Sequence, residues 1–380
     1  MSMPLEAFQS PDSATVDPSR AALDERVGEL VRRELAPQTV AIDREGTYPV
    51  GFMHELGAVG GYRQHLPSMR RDGQHDFPAA IGAMETVARE CLSTGFCVWC
   101  QDALGWYLEN ADDPATRAHL LEPVASGVQL GGTGLSNGMK HLAAIEDLKI
   151  RLRRVEGGYI ANGTLPWVSN LDHDHAFAAI FEVEGSDRRA MAVTFCNQPG
   201  FSLQQCAEFT ALEGSGTYAC HFRDSFIPDN QVISHDIATL IPRIRCGFVL
   251  LQMGMGLGVI AACIDIMREM AVTHAHVNAY LDEQPEAMAE ELDDARRAVQ
   301  VLGGQIDDTS DALFADVLQL RHTASELTLR AAQAAMLHAG ARGYLANAPA
   351  QRKLREAQFV AIVTPAIKHI RKELERLGAH

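Results

Sequence analysis

Apolar residues recur at helical spacing through most of the first 126 positions. Leu23, Val27, Leu30 and Val31 fall on one stripe, and Ala79, Ala80, Ile81, Ala83, Met84, Val87 and Ala88 form another. Gly60-Gly61 and Pro67 interrupt the pattern and predict breaks between helices. Near Val128 the period shortens to two. Lys149-Ile-Arg-Leu-Arg-Arg-Val alternates basic and apolar side chains, as in a strand with one wet face. Gly157-Gly158 predicts a hairpin turn and Asn162-Gly163 the next one. Ala176–Val183, Ala190–Phe195 and Thr217–Phe226 continue the strand series, which Pro228-Asp229-Asn230 closes. From about Pro242 the helical period returns, with main segments at Phe248–Ala271, Pro285–Gly303, Asp307–Gly340 and Pro365–Leu377. Pro285, followed by Glu286, Glu290 and Glu291, suits a helix start, where carboxylates meet the positive end of the dipole.

Helices, then about a hundred residues of strands, then helices again predict an α+β protein. The expected parts are an N-terminal helical domain over 1–127, a central β-barrel-like domain over 128–234 and a C-terminal helical bundle over 235–380. A βαβ nucleotide-binding fold would alternate throughout, and this chain does not. Residues 1–20, rich in Pro, Ser and Asp, are expected to be loose. At 380 residues the chain exceeds one ordinary core.

Hydrophobic residues at 47% and charged residues at 22% fit a soluble globular class. The formal charge of −16 opposes phosphate backbones, so nucleic acid is not an expected partner. No apolar run is read as approaching the ~20 residues of a membrane span. The apolar stretch Phe248–Ile266 contains Gln252, Gly254, Gly256 and Gly258 and predicts a buried helix. The N-terminus shows no basic region followed by an apolar one, so no secretory signal is expected. The eight cysteines are scattered, with Cys97-Val-Trp-Cys100 the single CxxC pattern. With no second pair or histidine cluster to answer it, no metal is expected. The pair reads as buried, reduced thiols on a helix, and the cytoplasm as the compartment.

Chemistry concentrates in the closing segment. A turn with Gly340, Gly343 and Tyr344 leads into Pro349-Ala-Gln-Arg352-Lys-Leu-Arg355-Glu356-Ala357. Two stretches of the β region belong with it: Gly132-Thr133-Gly134-Leu135-Ser136-Asn137, and Gly157 to Asn170 with Asn162-Gly163, Trp167 and Ser169-Asn170. These segments resemble the GGxGY–PxxRxxRDA, GTGLTEP and GGYxLNGxKxWITN signatures of the acyl-CoA dehydrogenase family, and the likeness extends over nearly the whole chain from about residue 25. The resemblance implies FAD as cofactor and an acyl-CoA or acyl-carrier thioester as substrate. It also implies a homodimer or homotetramer sharing cofactors across an interface, and it names no electron acceptor. Carried over position by position, it places Gly134, Leu135, Ser136, Trp167 and Ser169 at the flavin. His274 stands at the family's arginine slot and Gln284 near its glutamine. Gly340 and Gly343 fall in the turn that approaches a neighbouring subunit's cofactor. Arg243 and Leu142 fall on the substrate side, with Arg245 a further candidate for the CoA nucleotide. A flavin offers a flat apolar face rimmed by donors and acceptors, which small hydroxyls, backbone N–H groups and an indole can match.

One position departs from the pattern. Counting forward from Arg355, the family's catalytic glutamate falls on Thr364, followed by Pro365. A hydroxyl is far too weak a base for removing a proton beside a thioester, and losing a general base costs about 10²–10⁴ in rate. Thr364-Pro365 reads instead as an N-cap with proline at the first helical position. The leading expectation is therefore an acyl-CoA dehydrogenase-like FAD oxidoreductase with an altered or absent base. A flavin-dependent monooxygenase on the same fold, or a redox-silent subunit of a heteromeric dehydrogenase, stands beside it.

Overall fold

A computed structural model describes residues 18–205 and 207–379; the N-terminal segment expected to be loose lies largely outside the described residues. Helix α1 (Pro18–Leu30) and the turn that continues it bury the stripe Leu23, Val27, Leu30 and Val31. Short helices α2 (Thr39–Glu45) and α3 (Val50–Ala58) follow, then α4 (Phe77–Glu90), α5 (Leu92–Glu109) and α6 (Pro114–Ala125). Asp76 caps α4 by accepting the Ala79 N–H at 3.0 Å. Helix α5 is apolar on all sides and buried almost throughout, the arrangement such a helix requires. Cys97 and Cys100 lie within it as buried free thiols whose pKa values burial pushes up, so the CxxC is inert packing.

The same helix holds an unusual polar pair. His65, from the loop before α4, and Asp102 are both fully buried, and their side chains approach to 3.9 Å. That distance would allow an ion pair. Burial nonetheless pushes the imidazole down to about 4 and the carboxyl well up, so two neutral groups face each other. Asp102 Oδ1 and Oδ2 and His65 Nδ1 have no hydrogen-bond partner among the described residues.

Strand β1 (Gly131–Thr133) and helix α7 (Leu135–Leu142) lead into β2 (Ile150–Val155), β3 (Gly158–Val168), β4 (Ala176–Val183), β5 (Arg189–Phe195), β6 (Phe201–Gln204), β7 (Tyr218–Pro228) and β8 (Val232–Ser234). They form one sheet in the order β6-β7-β3-β2-β4-β5-β8, with β1 parallel to β4. β4 is buried on both faces: Ala176, Ala178 and Ile180 join the helical core, while Phe177, Ala179 and Phe181 join a second core inside the sheet. Phe177 and Phe181 meet Phe222 of β7 edge-on, at 6.2 and 5.9 Å between centroids. Since β2 and β3 separate those strands in the sheet, it must curl for these rings to touch. The Asn162-Gly163 turn expected from sequence is absent: β3 runs through it with a bulge between Ala161 and Gly163. Gly163 has φ +137°, and a Cβ there would lie 2.2 Å from the Lys149 carbonyl oxygen, so the glycine serves the bulge.

The C-terminal helices are α8 (Ile237–Leu251), α9 (Met253–Asn278), α10 (Pro285–Gly303), α11 (Asp311–Ala339), α12 (Pro349–Ile362) and α13 (Ile367–Leu377). The single helix expected over Phe248–Ala271 is two, meeting at Gln252, whose side chain turns to tertiary partners. The helix expected from Asp307 starts at Asp311 because Ser310 caps it, its hydroxyl accepting the Leu313 N–H at 3.2 Å. Gly254 and Gly258 in α9 permit close approach to α4: a Cβ would sit 2.7 Å from Met84 Cβ or 2.5 Å from the Glu85 oxygen. Ile237–Asn278 is long and apolar enough to cross a membrane by length and composition, but its apolar window is entirely buried inside the protein.

Helix α12 locks the two helical regions together. Lys353 Nζ donates to the Ala88 and Glu90 carbonyls at the end of α4, at 3.0 and 3.4 Å. Glu356 accepts the Leu92 N–H at the start of α5 at 3.2 Å, and the two side chains pair at 2.7 Å. Each charge meets the helix end of opposite partial charge. Arg355 adds a two-pronged pair with Asp43 at 2.9 and 2.6 Å.

Candidate functional site

Three segments far apart in sequence converge beside the sheet. The first is the turn from β1 into α7. A Cβ at Gly132 would lie 2.0 Å from the Ser169 oxygen, and one at Gly134 3.0 Å from Ala179 Cβ, so this backbone rests directly on the neighbouring strands. The Leu135 N–H donates to Thr133 Oγ1 at 3.2 Å. The N–H groups of Ser136 and Asn137, in the first turn of α7, have no acceptor within the helix.

The second segment is the end of β3. Ser169 Oγ lies 2.6 Å from Thr217 Oγ1, which lies 2.8 Å from Ser215 Oγ, forming a row of three hydroxyls. Asn170, in the left-handed region at φ 62°, fixes this corner. Its amide donates to the Gly131 carbonyl, its side-chain oxygen accepts from Tyr48 Oη, and its N–H bonds the Ser215 carbonyl. Trp167 is 61% exposed, and Phe209 meets it edge to face at 6.3 Å between ring centroids. Most of the indole is therefore left exposed at the end of the strand that leads to Ser169.

The third segment is the turn between α12 and α13. Thr364 Oγ1 lies 2.8 Å from Ser136 Oγ. Its carbonyl accepts from Gln252 Nε2 at 2.8 Å, and Gln252 Oε1 accepts from Arg321 Nε at 2.9 Å. Arg321 is fully buried, bonds Ser325 and the Val360 carbonyl besides, and pairs with no carboxylate among the described residues. Burial brings its pKa down to about 10. The N-cap expected of Thr364 is not formed. Thr364-Pro365 is cis, α13 starts at Ile367 with Ala366 at its N-cap position and no side-chain cap, and the Thr364 hydroxyl meets Ser136 instead.

Gly134, Leu135, Ser136, Trp167, Ser169 and Thr364 thus belong to one neighbourhood. His274, Gln284, Gly340 and Gly343 form another, and no hydrogen bond joins the two among the described residues. Gln284 Nε2 donates to the Asn278 and Leu281 carbonyls at 3.0 and 2.7 Å, closing the end of α9. The Asn278 amide reaches the His338 carbonyl at 3.2 Å, two residues before Gly340. His274 Nδ1 lies 2.7 Å from Thr273 Oγ1. Around them Val272, Val277, Tyr280 and Tyr344 are exposed.

Arg243, which the resemblance assigns to substrate, is turned to Asp112 and the Thr239 carbonyl. Arg245 instead reaches a cavity of about 100 Å³ beside the Thr364 turn. Its apolar wall includes Met139 and Leu142 of α7, Phe314 and Pro365, and its polar side is Arg245, His369, Glu373 and Arg376. Sequence reasoning missed Gln252, Arg321, His369 and Glu373. Gln252 was visible as a polar interruption of an apolar run. His369 and Glu373 were hidden in a segment that reads as a solvated basic helix.

The family model for the acyl-CoA dehydrogenase N-terminal domain matches residues 17–128. A probable acyl-CoA dehydrogenase, YngJ, of Bacillus subtilis (strain 168) is 21% identical over 357 residues, covering 89% of this chain and 92% of that protein. The mitochondrial short-chain specific acyl-CoA dehydrogenase of Homo sapiens is 23% identical, covering 88% and 84%. Butyryl-CoA dehydrogenase from Megasphaera elsdenii has a similar structure, with TM-score 0.84, 16% identity and coverage of 96% and 98%. KijD3, solved in complex with FMN and a dTDP-linked amino sugar, superposes with TM-score 0.76 and 19% identity over 97% and 96%.

Proposed function

Because this chain belongs to the acyl-CoA dehydrogenase family, we propose that it is an FAD-dependent oxidoreductase acting on the CH–CH group of an acyl thioester, carried on CoA or a carrier protein. The observation that carries this reading is the meeting of Ser136 and Thr364 across 228 residues of sequence, on a turn whose Gly132 rests against Ser169, two residues after the exposed Trp167. These groups suit a flavin. The free N–H groups at the start of α7 and the Ser136 and Ser169 hydroxyls would follow its polar rim, and the indole would cover a face. Bound FAD would supply the hydride acceptor. Ser136 and Gln252 hold Thr364 from both sides, which fits a wall that positions substrate rather than a group that removes a proton.

His274, Gln284, Gly340 and Gly343 would meet the adenosine end of a cofactor held by a second copy. The exposed Val272, Val277, Tyr280 and Tyr344 beside them support a homodimer or homotetramer. Sedimentation of the purified protein as a monomer would remove that part of the reading.

The test is a visible spectrum of the purified protein, FAD titration, and anaerobic titration with short-chain acyl-CoAs. Bleaching of bound flavin with a 2-enoyl product is the expected result; neither bound FAD nor FAD uptake would overturn it. The hydroxyl at 364 favours a second reading, a flavin-dependent monooxygenase, since oxygen insertion needs no thioester base. Oxygen consumption with a hydroxylated product, and no transfer of electrons to a dye, would select it.

A further inference from the structure

The small cavity beside the Thr364 turn contains chemistry that Thr364 lacks. His369 is 4% exposed, lines the cavity, and its ring has no hydrogen-bond partner among the described residues. Glu373, one turn further along α13, has Oε1 buried and unpartnered, while its Oε2 pairs with Arg376 at 3.0 Å. Arg245 enters from α8, held by Asp311 at 2.8 Å and stacked 4.6 Å over Phe314, with its Nε buried and unpartnered. Three polar groups with unused hydrogen-bonding capacity therefore surround one cavity.

Its position ties this cavity to the proposed flavin edge. Helix α7 carries Ser136 at its start and Met139 and Leu142 on the cavity wall, and Pro365 of that wall follows Thr364 directly. Lys372 of α13 donates to the Ala143 carbonyl at 2.6 Å, so α13 and the end of α7 are fastened together. About 100 Å³ is on the order of three water molecules and suits only a short acyl end.

Resting on the reading above, we propose that His369 is the proton acceptor for the carbon next to the thioester carbonyl, and that Glu373 is its positioning residue. In the step, the C–H bond breaks and an N–H bond forms on the His369 ring. The electron pair enters the thioester as an enolate; the imidazolium N–H exchanges its proton with solvent, and the reverse step returns the exchanged proton from the ring to the carbon. Burial, with Lys372 and Lys140 nearby, pushes the His369 pKa down while Glu373 raises it, so the ring is neutral and ready to accept near pH 7. Arg245 and Arg376 complete the charges facing the cavity. Glu373, four residues along the same helix face, would stabilise the imidazolium that forms.

Proton exchange needs no oxidant, so it separates this step from flavin reduction. The purified holoprotein is incubated with butyryl-CoA in D2O, and deuterium at the α-carbon is followed by NMR, with dye reduction measured in parallel. Wild type is expected to exchange, and His369→Gln to lose about 10²-fold or more. Glu373→Gln is expected to keep exchange at a reduced rate with its pH profile displaced to lower pH, since losing the carboxylate that raises the His369 pKa leaves the ring neutral further into acid. His369→Ala is expected to regain exchange when imidazole is added, which shows that its loss is not misfolding. Equal exchange by wild type and a folded His369→Gln overturns the inference and leaves the oxidoreductase reading intact. Exchange that depends on His369 without any dye reduction supports the inference and removes the oxidoreductase reading. No exchange by a wild type that does reduce the dye overturns the inference alone.

Discussion

The buried pair His65 and Asp102 makes a signed prediction about pH. The imidazole binds its proton more weakly in the folded chain, with its pKa pushed from 6.5 down to about 4. As pH falls from about 6.5 to 4, the unfolded chain takes up that proton and the folded one does not. Stability is then lost across the window by up to about 3 kcal/mol, at about 1.4 kcal/mol per pH unit. Asp102 acts in the opposite sense. Its folded pKa lies well above 3.8, so the unfolded chain loses the proton first and stability falls as pH rises. In the wild type the two slopes oppose each other between pH 4 and 6.5. Asp102→Asn removes one of them, so the variant is expected to gain stability at pH 7. Relative to wild type it then loses that advantage on acidification. His65→Gln should show the reverse trend, with its relative stability rising toward pH 4. For 380 residues at roughly 2.1 cal/mol/K each, 3 kcal/mol corresponds to about 4 °C in Tm. Thermal melts of the three proteins at half-unit pH steps are the assay. Differences between variant and wild type that stay flat from pH 4 to 6.5 would refute the assignment of neutral forms.

Glu356→Gln and Lys353→Met should each cost about 3–5 kcal/mol, because each leaves a buried charge or helix end unanswered. The double variant should cost clearly less than their sum, and additive losses in urea denaturation would contradict the pairing. Thr364→Glu should raise dye-linked dehydrogenation of a short acyl-CoA by about 10²-fold if a carboxylate there can act as base. No gain, with FAD still bound, would show that the turn does not face the reacting carbon. Trp167→Ala should weaken FAD binding about tenfold, the equivalent of roughly 1.4 kcal/mol of ring contact, as read by fluorescence titration. An unchanged Kd would place the flavin elsewhere.

Element type was legible wherever the period was clean. The alternation in β2 and the stripe of α1 both reappear as burial, and Pro285 starts its helix as its fixed φ suggests. Local signals misled where tertiary contacts competed with them. Asn162-Gly163 looks like a turn but supplies a bulge, since the β3–β7 pairing continues past it. Thr364 looks like a cap but spends its hydroxyl on Ser136, a partner 228 residues away that no local pattern can show. Ser136, Trp167 and Ser169 could be singled out because the motifs that carry them are contiguous in sequence. Arg321 and His369 could not, because a buried cation and a cavity-facing imidazole have the same sequence appearance as solvated helix residues.

The joint between α12 and the α4–α5 corner has a consequence for how the protein is made. The Leu92 N–H waits for the carboxylate of Glu356, 264 residues downstream. At synthesis rates of about 5–20 residues per second, that interval is roughly 13 to 50 s. Throughout it the Ala88 and Glu90 carbonyls also await Lys353. The corner between α4 and α5 therefore acquires its final end contacts only once residues 353–356 have been synthesised. A chain released early would carry its first helices with that corner open.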